Sequence, residues 1–411
     1  MFAPALPLAS DRAAAGDRPL LFAGAVGFYF IFRACLTFLF FQNDPVLGTI
    51  VAIAFDLALL YGAVLYTTPA AASPSHPTHL RQSPLRIAPI QWIVALLIFS
   101  LASLAWTAAQ SAVAALAYWL GMFADVAIVL LLLRHGDTEL QLEGIMKGAV
   151  WGAAALTLVA WCSPATADLR LGNDAFLHPN TLGLEFGIVT LIGQYFAPRD
   201  TLWKVLTIAL AITLVRTLSK TAIIAFVLAE CWYLAQSRQM TRSAKLRICA
   251  LALLVVAAFS SLLTAYIDVY NNTGSGDQVE TLTGRTVLWA AAFSMGLETP
   301  WLGHGIYSFK ALIPALGDFQ PVHAHNELLQ QFFEFGLVGV AIAAGVHWSF
   351  YRHLRRAPPT ELKMLALTLL IFSLLHGLTD TVPFGYSYPL WLLVALSLCL
   401  AGPAVAQVHR P

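Results

Sequence analysis

Apolar residues along this chain come in blocks near twenty long, separated by polar breaks. An α-helix of about twenty residues, rising about 1.5 Å per residue, crosses the hydrocarbon core of a bilayer. The pattern therefore predicts membrane-spanning helices over 20–41, 45–66, 88–108, 111–133, 144–161, 180–197, 201–216, 218–236, 246–266, 324–350, 361–379 and 386–406. The stretch 201–236 also admits a reading as one long kinked segment. Most connections are short, but 67–87, 162–179 and about 267–323 are longer. The first block runs from near Pro19 to Phe41, longer than a signal-peptide core and without a clear small-residue cleavage site, so a retained first helix is expected. The expected fold class is an all-α integral membrane protein of about twelve transmembrane helices. It forms one polytopic domain over 1–411, with a large loop over 267–323 between the ninth and tenth helices.

Composition agrees with this pattern. Hydrophobic residues make up 59% of the chain and charged ones 11%, against roughly 25% charged in soluble domains, which could not hide so much apolar surface. A net charge of +1 gives no reason to expect a nucleic-acid partner. Cys35, Cys162, Cys231, Cys249 and Cys399 are scattered, so neither a disulfide framework nor a cysteine metal site is expected. Lys and Arg divide unevenly between alternate loops, 17 against 5, with Arg33 inside the first helix. By the positive-inside rule both termini lie in the cytoplasm and the 267–323 loop faces outward, into the periplasm of a Gram-negative cell. The five outward basic residues, Arg170, Arg216, Lys220, Arg285 and Lys310, run against that rule and call for a reason.

Arg216 and Lys220 are four apart. On one helix they share a face, where like charges repel by a few tenths of a kcal/mol unless an anion lies between them. The alternative is a pair snorkelling to the interface. Arg285 follows Thr283-Gly284 and starts an apolar-periodic stretch. With Thr283 as N-cap, free N–H groups and a positive helix end join the guanidinium in an anion site suited to phosphate. The alternative is a loop arginine paired with Asp277 or Glu280.

His323-Ala324-His325-Asn326-Glu327 stands at the start of the tenth predicted helix. On a helix, residues two apart point away from each other; on a strand or turn they converge. No nearby cysteine or carboxylate cluster has metal spacing, so no metal is expected. A histidine at a membrane boundary can act as general base or proton shuttle, or can be a hydrogen-bonded interface residue. Glu327 and Glu334 are seven apart on one face. Like Arg33, Asp56, Asp125 and Glu185, they are expensive inside a membrane, and internal Arg–carboxylate pairing is expected for this class. His178-Pro179-Asn180 opens the sixth helix, with Pro179 in its usual first-turn place and His178 and Asn180 able to face an outer cavity.

An ordered series of motifs carries a resemblance. It runs His178-Pro179-Asn180-x-x-Gly183, Ser219-Lys220-Thr221-Ala222, Thr283-Gly284-Arg285 with Trp289, Pro300-x-x-Gly303-x-Gly305, then Ala324-His325-Asn326 with Glu334-x-Gly336-x-x-Gly339. Over about 170–345 the chain resembles the O-antigen ligase and polysaccharide polymerase superfamily of bacterial membrane glycosyltransferases.

The resemblance implies a metal-independent GT-C-like enzyme of the inner membrane, working at the periplasmic face in lipopolysaccharide or exopolysaccharide biosynthesis. It implies a donor glycan on undecaprenyl diphosphate, a glycan or lipid A-core acceptor, transfer with inversion, and no cofactor. Carried over by position, Arg285 and Lys220, with Arg216 as a further fork, hold the diphosphate. His325 assists the acceptor hydroxyl, while His323, Asn326, His178, Asn180 and Glu327 are candidate substrate contacts. The family's usual Ser-Arg is Ser219-Lys220 here, a point charge in place of a bidentate fork, which leans the reading towards a polymerase over a ligase. A lipid-linked glycan flippase or a non-enzymatic scaffold are the rival classes.

Overall fold

The computed structural model describes residues 17–41, 45–67, 83–135, 137–163, 169–172, 178–237, 241–243, 245–247, 250, 254, 285–315, 321–381 and 387–401. Every regular element among them is helical. The principal helices are α1 (Asp17–Phe41), α2 (Pro45–Thr67), α3 (Ala88–Ala102), α4 (Ala112–His135), α5 (Thr138–Cys162) and α6 (Pro179–Phe196). They continue with α7 (Thr201–Arg216), α8 (Lys220–Gln236), α9 (Arg285–Gly296), α10 (Glu327–Arg356), α11 (Glu361–Gly377) and α12 (Leu390–Leu400). Among the described residues, five stretches are long and apolar enough to cross a membrane: Leu47–Thr67, Ala88–Ala105, Ala112–Arg134, Thr138–Cys162 and Glu327–Arg356. The chain is an all-α, multi-pass membrane protein. The ninth predicted span, 246–266, falls almost wholly outside the described residues, as do 267–284 of the large loop with Thr283, Asp277 and Glu280.

Several predicted bounds shift. The third span stops at Ala102, followed by a 3-10 turn over Ser103–Ala105. Beyond it the backbone binds a loop: Ala108 N–H donates to His304 O at 2.9 Å, and Thr107 Oγ1 to Ile306 O at 2.5 Å. The fifth span starts earlier, at Thr138, because the Asp137 carboxylate caps it by accepting from the N–H groups of Glu139 and Leu140 at 3.1 Å each. The stretch 201–236 is two helices, broken where Leu218 takes a left-handed φ of 53°.

Small residues let α1 and α5 touch. A Cβ on Gly27 would sit 1.9 Å from Ile145 O, and one on Gly148 2.0 Å from Gly24 O, so neither position has room for a side chain. Inside this bundle Arg33 of α1 donates to both Asp125 oxygens, at 2.7 and 2.9 Å, and lies 3.5 Å from Asp56. That ion group ties α1, α2 and α4 together. Glu185 does not join it; its Oε2 is buried without a hydrogen bond.

The largest departure is in α10. A continuous helix would place Glu327 and His347 about 30 Å apart, yet Glu327 Oε1 lies 3.9 Å from His347 Nε2. The helix breaks at Gly336 (φ 63°, ψ −162°) and folds back, so a short arm, Glu327–Phe335, descends beside the longer arm from Leu337 to Arg356. Residues 300–305 wrap the break. His304 N–H donates to Phe333 O (3.0 Å), Gly305 N–H to Glu334 O (2.7 Å), and Leu337 N–H to Pro300 O (2.8 Å). A Cβ on Gly336 would lie 2.4 Å from the Trp301 carbonyl carbon, and one on Gly303 2.4 Å from that of Glu334. The motifs Pro300-x-x-Gly303-x-Gly305 and Glu334-x-Gly336 are thus two halves of one backbone clasp. The expected helix over 324–350 is corrected accordingly.

Candidate functional site

The clasp delivers the loop 321–326 into the bundle. His325 there adopts a left-handed φ of 50°, an unfavourable conformation for a residue with a Cβ. The bend brings the rings of His323 and His325 to 4.1 Å between centroids. These residues precede α10, so the reasoning that positions two apart on a helix point away from each other is corrected: the pair converges. His323 Nδ1 accepts from the His325 N–H at 3.3 Å, and Gln330 Oε1 accepts from the Ala324 N–H at 2.7 Å. Trp289 Nε1 donates to Ala324 O at 2.9 Å. Asn326 caps the short arm of α10, accepting from the Leu329 N–H at 3.0 Å while its Nδ2 donates to Leu378 O at 2.8 Å. The strained turn is fastened at each residue.

Asp380 faces it from the turn after α11. Its Oδ1 accepts from the Thr381 N–H and lies 2.9 Å from His325 Nδ1. Its Oδ2 lies 3.6 Å from Arg285 Nη2. Arg285, the first residue of α9, also donates through Nη1 to Thr379 O and lies 3.5 Å from Thr221 Oγ1 at the start of α8. Thr379 Oγ1 in turn donates to Thr221 Oγ1 at 3.2 Å. The Asp380 side chain is 1% exposed, whereas those of His325 and Arg285 keep 14% and 16%. The carboxylate is sealed in, and an edge of the imidazole and of the guanidinium reaches out.

Burial raises Asp380, but the His325 hydrogen bond and the neighbouring His325, His376 and Arg285 outweigh it and hold the carboxyl well below the usual carboxylate range. His323 goes the other way for a base. Burial first, then His325, His178 and Arg285, push it down to about 3 against the pull of Asp380. It is therefore neutral, as its role as acceptor for the His325 N–H requires.

A second group flanks the first. His178 caps α6, its Nδ1 accepting from the Asn180 N–H at 3.3 Å. Asn180 Oδ1 accepts from Arg170 and from Ser219 Oγ. Gly183 admits the α8 start, since a Cβ there would lie 2.7 Å from that of Ser219. Lys220 is exposed at the first position of α8. Arg216 ends α7 and donates to Leu169 O at 2.9 Å. The break between them means Arg216 and Lys220 do not share one helix face, correcting that expectation. Glu327 is buried, with Oε2 accepting from the Ser387 N–H at 3.0 Å and Oε1 3.9 Å from His347 Nε2. It ties α10 to the chain before α12.

His323, His325 and Asp380 have potential ligand atoms within 4.8 Å of one another. This constellation was not visible in the sequence because the carboxylate comes from 55 residues away. Of its possible ligand atoms, Asp380 Oδ1 has two partners and His323 Nδ1 a backbone N–H, while Asp380 Oδ2 makes no hydrogen bond. Arg285 also sets a fixed positive charge against the same carboxylate. That chemistry suits a hydrogen-bonded histidine better than a cation.

Sequence reasoning missed Asp380 and Thr379, and it quoted Thr221 only as part of a motif, with no role of its own. Asp380 carried a signal, since a carboxylate just past the end of an apolar helix belongs to the same costly class as Asp56 and Asp125.

Residues 205–344 match a family described as O-Antigen ligase. An O-antigen ligase of Pseudomonas aeruginosa is 27% identical over 270 residues, which cover 62% of this chain. The chain likewise spans 62% of the length of that curated relative. Both findings support the O-antigen ligase and polysaccharide polymerase superfamily.

Proposed function

We propose, on the premise of that superfamily, that this chain is an inverting membrane glycosyltransferase. It moves a glycan from undecaprenyl diphosphate to an acceptor hydroxyl at the periplasmic face of the inner membrane. The observation carrying this reading is His325, held by the buried Asp380 beside Arg285. The acceptor oxygen attacks the anomeric carbon, the carbon–oxygen bond to the diphosphate breaks, and undecaprenyl diphosphate leaves with the bonding pair. His325 takes the acceptor proton through Nε2 while Nδ1–H donates to Asp380, which fixes the tautomer and stabilises the imidazolium. Arg285 and Lys220 offset the negative charge that develops on the diphosphate. Arg216, Asn180, His178 and Asn326 border the substrates. The residues over 170–345 form the catalytic core, the 267–323 loop lies outside, and twelve spans put both termini in the cytoplasm.

The acceptor we favour is lipid A-core, as in an O-antigen ligase, because the family description and the relative both carry that name. A polymerase is the second reading, and it rests on Lys220 standing where the ligases carry a fork. A flippase would have no use for a histidine oriented by a carboxylate. Deleting the gene and resolving the lipopolysaccharide separates these readings. Loss of ligase leaves bare core while lipid-linked polymer accumulates; loss of polymerase leaves core bearing single repeats. Unchanged surface polysaccharide would sink both.

A further inference from the structure

A cavity of about 550 Å³ opens between the end of α10 and the start of α3. Arg86, just before α3, and Arg352 and Arg356 of α10 line it with His353, and no carboxylate among the described residues does. Trp92 and Trp348 form its walls; the Trp92 ring lies flat over Gly345, where a Cβ would meet it at 2.5 Å, and Trp348 is 61% exposed.

Basic residues at this end are expected from topology, but their convergence is not. Arg352 and Arg356 are one turn apart, a spacing at which like charges repel unless an anion lies between them. Arg86 joins them from a segment remote in sequence. Among the described residues none of the three has a carboxylate within 4.0 Å. Their neighbours differ: Arg355 donates to Tyr351 Oη at 3.0 Å, and Lys363 Nζ to Ala357 O at 2.7 Å. Tryptophan settles at the headgroup level of a bilayer, and basic pockets between helices at that level suit anionic headgroups. The volume falls in the range of small-molecule sites.

We propose that this cavity binds the phosphodiester headgroup of an anionic phospholipid of the surrounding leaflet, with Arg86, Arg352 and Arg356 around the phosphate and Trp92 and Trp348 flanking the acyl–headgroup junction. The proposal is independent of the transferase reading. Its test is native mass spectrometry of the purified full chain, loaded from mixed micelles of phosphatidylglycerol and phosphatidylcholine. Selective retention of phosphatidylglycerol is expected. Each of Arg86→Gln, Arg352→Gln and Arg356→Gln should weaken that retention roughly five-fold, whereas Arg355→Gln should leave it unchanged. The single variants are exposed substitutions that keep the fold, and elution as one monodisperse species confirms it for each. Equal retention of both lipids, equal loss in Arg355→Gln, or displacement of the lipid by millimolar inorganic phosphate would each overturn the proposal.

Discussion

His325 Nδ1 lies 2.9 Å from Asp380 Oδ1, although 55 residues separate them in the chain. The other oxygen of the same carboxylate faces Arg285. One buried charge thus orients both the candidate base and the candidate anion ligand. Asp380→Asn keeps the size, removes the charge, and offers an amide N–H where Nδ1 needs an acceptor. Transfer should fall at least about 10²-fold, and His325→Ala should cost about 10²–10⁴-fold. Binding of undecaprenyl diphosphate by purified protein should survive in His325→Ala. An Asp380→Asn enzyme with normal turnover would remove the carboxylate from the mechanism.

Arg285 and Lys220 bear on the donor instead. Arg285→Ala should abolish transfer while the protein still inserts and accumulates. Lys220→Ala should weaken donor binding, and Lys220→Arg should retain activity because the charge persists and a fork is added. Titrating labelled undecaprenyl diphosphate against each variant measures this. Unaltered affinity in both alanine variants would mean that the diphosphate sits elsewhere.

Much of the site was legible because the motifs are each other's contact partners. Gly183 packs on Ser219, Gly303 on Glu334, and Trp289 holds Ala324. A linear reading records such residues one by one and cannot see the pairing. The apolar blocks were legible for a different reason, since a bilayer imposes a length on every span. What the blocks concealed was backbone direction. Gly336 takes a positive φ inside an apolar stretch, so α10 folds back with no change in hydrophobicity to announce it, whereas the polar run Arg216–Thr221 does mark the break at Leu218 between α7 and α8. Asp380 stayed hidden because its meaning depends on that fold-back, which lowers His325 to the level of the α11 end.

The clasp itself can be tested. Gly336→Ala would put a Cβ 2.4 Å from the Trp301 backbone at a φ of 63°, a clash with main chain that no rotamer relieves. The short arm of α10 should lose its seat, and membrane levels of the variant should drop several-fold in immunoblots. Gly62→Ala, whose Cβ would meet only the edge of the Phe22 ring at 3.3 Å, serves as control and should accumulate normally. Wild-type levels of Gly336→Ala would argue that α10 runs straight.

His323 gives a pH signature separate from catalysis. Its folded value of about 3 lies below the ordinary histidine value of about 6.5. Between those two pH values the unfolded chain carries the extra proton, so stability rises with pH through that window. The contribution is complete above about pH 6.5 and is lost progressively on acidification, on the order of 2 kcal/mol by pH 5. His323→Asn keeps an acceptor near Nδ1 for the His325 N–H and cannot take up a proton. Thermal melts of detergent-purified protein at pH 7 and pH 5 should show a smaller drop for the variant than for the wild type. His323→Ala, lacking any acceptor, should release the strained His325 turn and lower both stability at neutral pH and transfer, since the two rings converge. Identical acid sensitivity in wild type and His323→Asn would show that His323 is not held neutral within the fold.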